Sequence, residues 1–152
     1  MLARLLLPPR HTVSDGTQET PRHEPLIMVV EDQDDGRYLL REAFEQSGFA
    51  VVEAENGRAA LERMRAAPQS DLVILDVQMP VMSGPELVAA MMADENLARM
   101  PVLVFTGNDR TEIPLGGPVV RQLSKPCSLT RLLDAVDECL KIGSAGIPVA
   151  GT

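Results

Sequence analysis

Short stretches in which every residue is apolar recur along the chain and predict buried strands. Leu26–Val30, Leu72–Leu75 and residues 102–105 are such stretches, and residues 119–123 form a weaker one. A run that is apolar on every residue is typical of a strand that a parallel sheet buries on both faces. Residues 49–52 are predicted to be one more short strand. We therefore expect a sheet of five strands.

Apolar residues at helical spacing occupy the segments between these strands and predict four helices. The first helix carries Leu40, Ala43 and Phe44, and we expect Asp34 or Asp35 to cap it. The other three helices are each preceded by a side chain that can cap their free amides: Asn56, Ser83 and Ser128. An alternation of strands and helices predicts an α/β fold whose right-handed crossovers place helices on both faces of the sheet.

The segment between the fourth and fifth predicted strands interrupts this alternation. It contains Pro114, Gly116, Gly117 and Pro118, and both residue types disfavour a helix interior. We expect at most one helical turn near residues 110–113, followed by a loop. The fourth crossover helix is therefore predicted to be short or missing.

Length and composition are those of one globular domain with flanking segments. The chain has 152 residues, of which 45% are hydrophobic. Residues 1–24 and 143–152 lack apolar periodicity, so we expect a flexible leader and a flexible tail around a domain over residues 25–142. The apolar run at residues 5–7 ends at two prolines and is too short for a signal peptide or a membrane span. We therefore expect a cytoplasmic protein without membrane contact.

The charge and the cysteines exclude several kinds of site. The formal net charge of −8 argues against direct binding to nucleic acid, which depends on Lys and Arg at the phosphates. Cys127 and Cys139 are the only cysteines, and they match no zinc-binding spacing. Because both fall in or near the last predicted helix, we expect free thiols and no disulfide.

Polar side chains of complementary chemistry follow four of the predicted strands. They are Glu31 and Asp32 after the first, Asp76 after the third, Thr106 after the fourth and Lys125 after the fifth. The carboxyl ends of parallel strands share one edge of a sheet, where open α/β sheets bind ligands. We therefore expect three acids, a hydroxyl and an ammonium to meet in one site.

These residues resemble the motifs of a known family, the receiver domains of two-component response regulators, which are CheY-like proteins of flavodoxin-like fold. The resemblance covers residues 26–141. It is carried, in chain order, by the pair Glu31-Asp32, by Asp76 in the run Leu-Asp-Val-Gln-Met-Pro, by Thr106 and by the pair Lys125-Pro126. The resemblance implies a doubly wound five-stranded parallel sheet of strand order 2-1-3-4-5. It also implies a cis peptide bond between Lys125 and Pro126.

The resemblance implies a role for each of the site residues. A carboxylate can hold a phosphoryl group as an acyl phosphate, and Asp76 is the implied phosphoacceptor. Mg²⁺ prefers carboxylate, carbonyl and water oxygens, so Asp32, Asp76 and the backbone carbonyl of Gln78 are the implied ligands. Glu31 would act on the ion through water. Lys125 would supply positive charge to the phosphoryl oxygens, and Thr106 would hydrogen-bond one of them.

The implied function is that of a phosphorelay receiver that takes its phosphoryl group from a histidine kinase or a histidine phosphotransfer protein. It would signal to an unknown downstream protein through a conformational switch, as a monomer or as a phosphorylation-dependent dimer. It would not be an enzyme beyond its own phosphoryl transfer and dephosphorylation. Since only about ten residues follow the last predicted helix, too few for an output domain, we expect a stand-alone receiver.

The chain departs from the family pattern at two places, and two alternatives to a phosphorylated receiver stay open. Gln122 stands three positions before Lys125, where most receivers carry an aromatic residue, and the segment over residues 107–118 is broken by glycine and proline. One alternative is a receiver-like docking module that phosphate does not regulate. The other is a haloacid-dehalogenase-like phosphatase, although such enzymes carry a second Asp at the position of Gln78.

Overall fold

The strands form one parallel sheet in the computed structural model, which describes residues 24–66, 70–107 and 113–147. The sheet has the order β2-β1-β3-β4-β5, and every neighbouring pair is parallel. The strands are β1 (Leu26–Val30), β2 (Ala50–Ala54), β3 (Leu72–Leu75), β4 (Val102–Thr106) and β5 (Val119–Ser124). The predicted flavodoxin-like α/β fold is confirmed.

Four helices cover the two faces of the sheet. They are α1 (Asp34–Gln46), α2 (Gly57–Ala66), α3 (Gly84–Met92) and α4 (Leu129–Ala145), and a short 3₁₀ turn follows α3 at Leu97–Arg99. Met28 and Val30 of β1 pack in the core layer under α2 and α3. Ile27 and Val29 pack in the other layer, under α1 and α4. Successive side chains of a strand point to opposite faces, so a strand covered on both sides is apolar at every position.

Three of the four predicted helix caps are confirmed. The Asn56 side chain accepts the amide of Ala59 at 2.8 Å, and Ser83 accepts the amide of Glu86 at 3.3 Å. Ser128 accepts the amide of Arg131 at 3.2 Å. Each of these bonds satisfies one of the amides that a helix start leaves without an intrahelical partner.

The predicted cap of α1 is wrong. Gln33 occupies the capping position without a side-chain hydrogen bond, and Asp34 and Asp35 lie inside the first turn. Acidic side chains are favourable there because the free amides give the helix start a partial positive charge. The Asp34 carboxylate contacts Arg37 instead, with 2.5 Å between Oδ1 and Nη2.

The connection between β4 and β5 contains no helix among the residues that the structure describes. Residues 108–112 lie outside them, and so does most of the turn predicted near residues 110–113. Gly116 and Val119 then form a tight antiparallel bridge, with N–H to carbonyl distances of 2.9 and 3.1 Å. Gly117 has a φ of 56°, a conformation that glycine adopts without steric cost. The four helices, the last at the C-terminus, agree with the prediction of a short or missing fourth crossover helix.

The last helix extends further than the sequence pattern predicts. The expected tail begins at residue 143, but α4 continues to Ala145, and Ile147 beyond it is buried. Gly143 lies within the helix, where an added Cβ would come within 2.9 Å of the Pro101 Cγ. The glycine therefore permits close packing here and does not end the helix. The rest of the predicted tail and almost all of the predicted leader lie outside the described residues.

Both cysteines have free thiols. Cys139 lies on the buried face of α4, and this burial raises the pKa of its thiol to about 11. No helix among the described residues is both long enough and apolar enough to cross a membrane.

Candidate functional site

The backbone ladder of the sheet continues one residue past the strands and positions the candidate site residues. The amide of Asp76 donates to the Val30 carbonyl at 3.1 Å, directly beyond the β1–β3 pairing. The amide of Lys125 donates to the Thr106 carbonyl at 2.9 Å, beyond the β4–β5 pairing. The residues that follow the strands therefore share one edge of the sheet, as the strand-end pattern predicts.

Three carboxylates form a cluster at this edge. One oxygen each from Glu31, Asp32 and Asp76 lies within 4.8 Å of the others. Glu31 is only 3% exposed, whereas Asp32 and Asp76 are partly accessible. Like charges about 4 Å apart repel by on the order of 4 kcal/mol at an effective dielectric constant of 20. A divalent cation would relieve that repulsion, and carboxylate oxygens are the ligands that Mg²⁺ prefers. The cluster could therefore hold a metal ion.

The ammonium of Lys125 partly balances this negative charge. Its Nζ lies 2.9 Å from the Oε2 of Glu31 and 3.9 Å from the Oδ2 of Asp76. It also lies 5.4 Å from the centre of the Phe105 ring, within the range of a cation–π interaction. The Lys125–Pro126 bond is cis, which confirms the prediction. The lysine thus contacts Glu31 directly and stands within reach of any group bound on Asp76.

The cleft next to the carboxylates contains most of the predicted site residues. Its lining residues are Glu31, Gln33, Asp76, Gln78, Thr106, Gly107 and Lys125. Asp32 is the one predicted residue that does not line it, and this side chain joins the site through the carboxylate cluster. Gln33 is absent from the sequence-based prediction. Its place directly after the acidic pair is the signal that could have indicated it, and its backbone N–H donates to the Glu31 carboxylate at 3.3 Å.

A strained turn fixes the backbone after Asp76. The amide of Met82 donates to the Pro80 carbonyl at 2.8 Å, and Val81 between them has a φ of 70°. These values describe a γ-turn, which is rare for a β-branched residue. The chain then passes so close to itself that a Cβ on Gly84 would lie 2.9 Å from the carbonyl oxygen of Asp76. This close packing therefore restricts the backbone of residues 80–84, which follows Asp76.

Comparisons with known proteins agree with this geometry. The family model of the response regulator receiver domain matches residues 27–137. The polar-differentiation response regulator DivK of Brucella anthropi is 31% identical over 118 residues, which cover 75% of this chain and 94% of DivK.

Solved structures of similar proteins share the fold. The chemotaxis response regulator CheY4 of Vibrio cholerae superposes with a TM-score of 0.69 at 28% identity, over 77% of this chain and 99% of CheY4. The response regulator TrrA of Thermotoga maritima, crystallised with Mg²⁺ and BeF, gives a TM-score of 0.67 at 26% identity, over 76% of this chain and 98% of TrrA.

Proposed function

Because the chain belongs to the family of response regulator receiver domains, we propose that it accepts a phosphoryl group on Asp76. One observation carries the proposal. The Asp76 carboxylate stands at the sheet edge beside two other acids and 3.9 Å from the Lys125 ammonium. Such an arrangement combines a nucleophilic oxygen with groups of both charges, and positioning and charge stabilisation account for most of the catalysis in phosphoryl transfer.

The donor set fits Mg²⁺. Asp32 and Asp76 would hold the ion directly, the backbone carbonyl of Gln78 would complete the protein ligands, and Glu31 would act through water. When bound, the ion neutralises charge on the phosphoryl oxygens. The similarity to TrrA, which was crystallised with Mg²⁺ and BeF, supports this assignment.

The transfer step takes place between Asp76 and a phosphohistidine of the donor protein. A carboxylate oxygen of Asp76 attacks the phosphorus of a phosphohistidine, the new P–O bond forms, and the P–N bond breaks. The leaving imidazole nitrogen keeps the electron pair. The Lys125 ammonium, 2.9 Å from Glu31 before transfer, moves toward the phosphoryl oxygens. The Thr106 hydroxyl donates a hydrogen bond to one of those oxygens, which draws the end of β4 toward the site.

Membership of the family supports a proposal for the partners. The donor is a histidine kinase or a histidine phosphotransfer protein in the cytoplasm, and the product signals to a downstream protein through a changed contact surface. The chain would catalyse only its own phosphorylation and dephosphorylation. A haloacid-dehalogenase-like reaction is disfavoured because the position that would need a general acid holds Gln78, whose amide cannot serve as one.

The proposal is tested by mass spectrometry of the intact chain after incubation with Mg²⁺ and acetyl phosphate. We expect the wild-type chain to gain the mass of one phosphoryl group, and Asp76→Ala to gain none because the nucleophilic oxygen is removed. Asp35→Ala is the matched control, since Asp35 is an exposed acid in the first turn of α1. It should gain the same mass as the wild type.

Two results would contradict the proposal. An equal gain in folded Asp76→Ala would place the phosphoryl group elsewhere. No gain in the wild-type chain would instead support the docking module that phosphate does not regulate. Circular dichroism of each variant shows whether it is folded.

A further inference from the structure

Arg37, in the first turn of α1, connects three parts of the chain. Its Nη1 donates to the backbone carbonyl of Glu31 at 2.8 Å. Its Nη2 lies 2.5 Å from the Oδ1 of Asp34, and its Nε lies 3.9 Å from the Oε1 of Glu53 on β2. The side chain is only 18% exposed. Two carboxylates therefore hold the guanidinium while it binds the exit of β1.

The Glu31 carbonyl belongs to the peptide unit that leads into Asp32. On the other side of Glu31, its amide donates to the Ala54 carbonyl at 3.1 Å, which continues the β1–β2 pairing. A peptide unit is planar, so a bond to this carbonyl also sets the direction in which the chain enters Asp32. Arg37 thus completes the support of the loop that carries one of the three clustered carboxylates.

We propose that Arg37 is a positioning residue for divalent-cation binding at the carboxylate cluster. The contacts of Arg37 with the Glu31 carbonyl, Asp34 and Glu53 do not include Asp32 or Asp76. Arg37 therefore acts through the peptide unit between Glu31 and Asp32. The inference rests on the proposed function, because that function requires Mg²⁺ at these acids. Outer residues that orient metal ligands commonly affect metal affinity about 10- to 100-fold when they are mutated.

The sign of the effect separates positioning from charge. Arg37 is a cation near an acidic cluster, so by charge alone its removal would favour the binding of another cation. Loss of positioning has the opposite consequence, because Asp32 would no longer be held in the orientation that the shared ion needs. A weaker Mg²⁺ affinity after removal of a nearby positive charge is therefore not explained by electrostatics.

The experiment measures Mg²⁺ binding to the unphosphorylated full chain by isothermal titration calorimetry. We expect Arg37→Ala to raise the Kd for Mg²⁺ about tenfold. Arg37→Lys, which keeps the charge and one donor direction, should recover part of that loss. Arg41→Ala is the matched control: Arg41 lies on the same helix, pairs with Glu53 at 3.3 Å and stacks over the Tyr38 ring. It should leave the Kd near the wild-type value.

An unchanged or lower Kd in Arg37→Ala would overturn the inference, and so would an equal loss of affinity in Arg41→Ala. If Arg37→Ala fails to fold, a Kd of Arg37→Lys equal to that of the wild type decides against positioning, because the guanidinium contacts are then not needed to orient the peptide unit. A wild-type chain that binds no Mg²⁺ refutes the inference, whereas the phosphoryl mass gain on Asp76 tests the proposed function separately.

Discussion

Two neighbouring regions meet at the end of β4 and are held together in different ways. The first region, called here the acceptor edge, consists of the residues at the strand ends: Glu31, Asp32, Asp76, Thr106 and Lys125. Its backbone is bonded to the adjacent strands at Asp76 and Lys125. In the β4–β5 connection, the described residues 113–118 return to the sheet through the Gly116–Val119 bridge and through a 2.7 Å bond from the Val102 amide to the Pro118 carbonyl. The sheet therefore determines the geometry of the first region but only the end points of the second.

The two regions also differ in chemistry. The acceptor edge carries three carboxylates and an ammonium within a few ångströms of one another. Residues 113–118 carry no charge, and they form an apolar groove with the flank of α3. Leu115 and Met92, which line this groove, are 66% and 50% exposed. The comparison teaches that a charged edge and an uncharged, apolar groove lie on either side of the end of β4.

The largest effect on the acceptor edge is expected from Lys125→Ala. The variant removes the ammonium that stands 3.9 Å from Asp76, so phosphorylation by acetyl phosphate should slow about 10²- to 10³-fold. Lys141→Ala, which removes an exposed lysine of α4, should keep the wild-type rate. The rate is measured from the phosphoryl mass gain over time.

A change in Mg²⁺ affinity does not account for this slowing. Removal of a positive charge from the acidic cluster should favour Mg²⁺ binding, so the Kd should fall or stay constant while the rate drops. A rate close to that of Lys141→Ala would mean that the transfer does not use the ammonium. The unfolding transition of each variant shows whether the loss of the Glu31 partner has changed the fold.

The second prediction compares leucines from the sheet and the connection. Leu103 on β4 is fully buried, so Leu103→Ala should reduce the free energy of unfolding by about 2–5 kcal/mol. Leu115 is largely exposed, so Leu115→Ala should change it by no more than about 0.5 kcal/mol. Urea denaturation measures both. A cost for Leu115→Ala comparable to that of Leu103→Ala would show that Leu115 contributes to the core as Leu103 does.

The same contrast explains what the sequence could predict. Strands β1 and β3 are apolar at every residue because helices cover both faces, so their bounds could be located without coordinates. The site residues can be located from the sequence because they stand at strand ends, and parallel strands bring their ends together. Local patterns therefore sufficed wherever the sheet itself imposes the geometry.

Features that depend on contacts distant in sequence could not be predicted in this way. The contact of Arg37 with Glu53 arises because the pairing of β1 with β2 brings Glu53 near. The same arginine binds Asp34, whereas cap preference predicts Asp34 or Asp35 at the helix start. The composition from residue 143 onward predicts a tail, whereas Gly143 lies in α4 against Pro101, a contact that nearby residues in the sequence do not indicate.

The smallest effect is expected at Gln122, where the family resemblance leads one to look for an aromatic side chain. Gln122 pairs with Val104 through the backbone, its side chain is half-buried, and it does not line the cleft at the acceptor edge. Gln122→Ala should therefore keep the phosphorylation rate within about twofold of the wild type and change the free energy of unfolding by no more than about 0.5 kcal/mol. Both quantities are measured as for Lys125→Ala and Leu103→Ala.

A second substitution at this position sharpens the comparison. Gln122→Tyr introduces the aromatic ring and should leave the acceptor rate unchanged, because the groups that contact Asp76 stay where they are. A rate that falls in Gln122→Ala and recovers in Gln122→Tyr would show that the middle of β5 takes part in the transfer. That outcome would show that the acceptor edge is not independent of the rest of β5, because a side chain outside the cleft would then change the phosphorylation rate of Asp76.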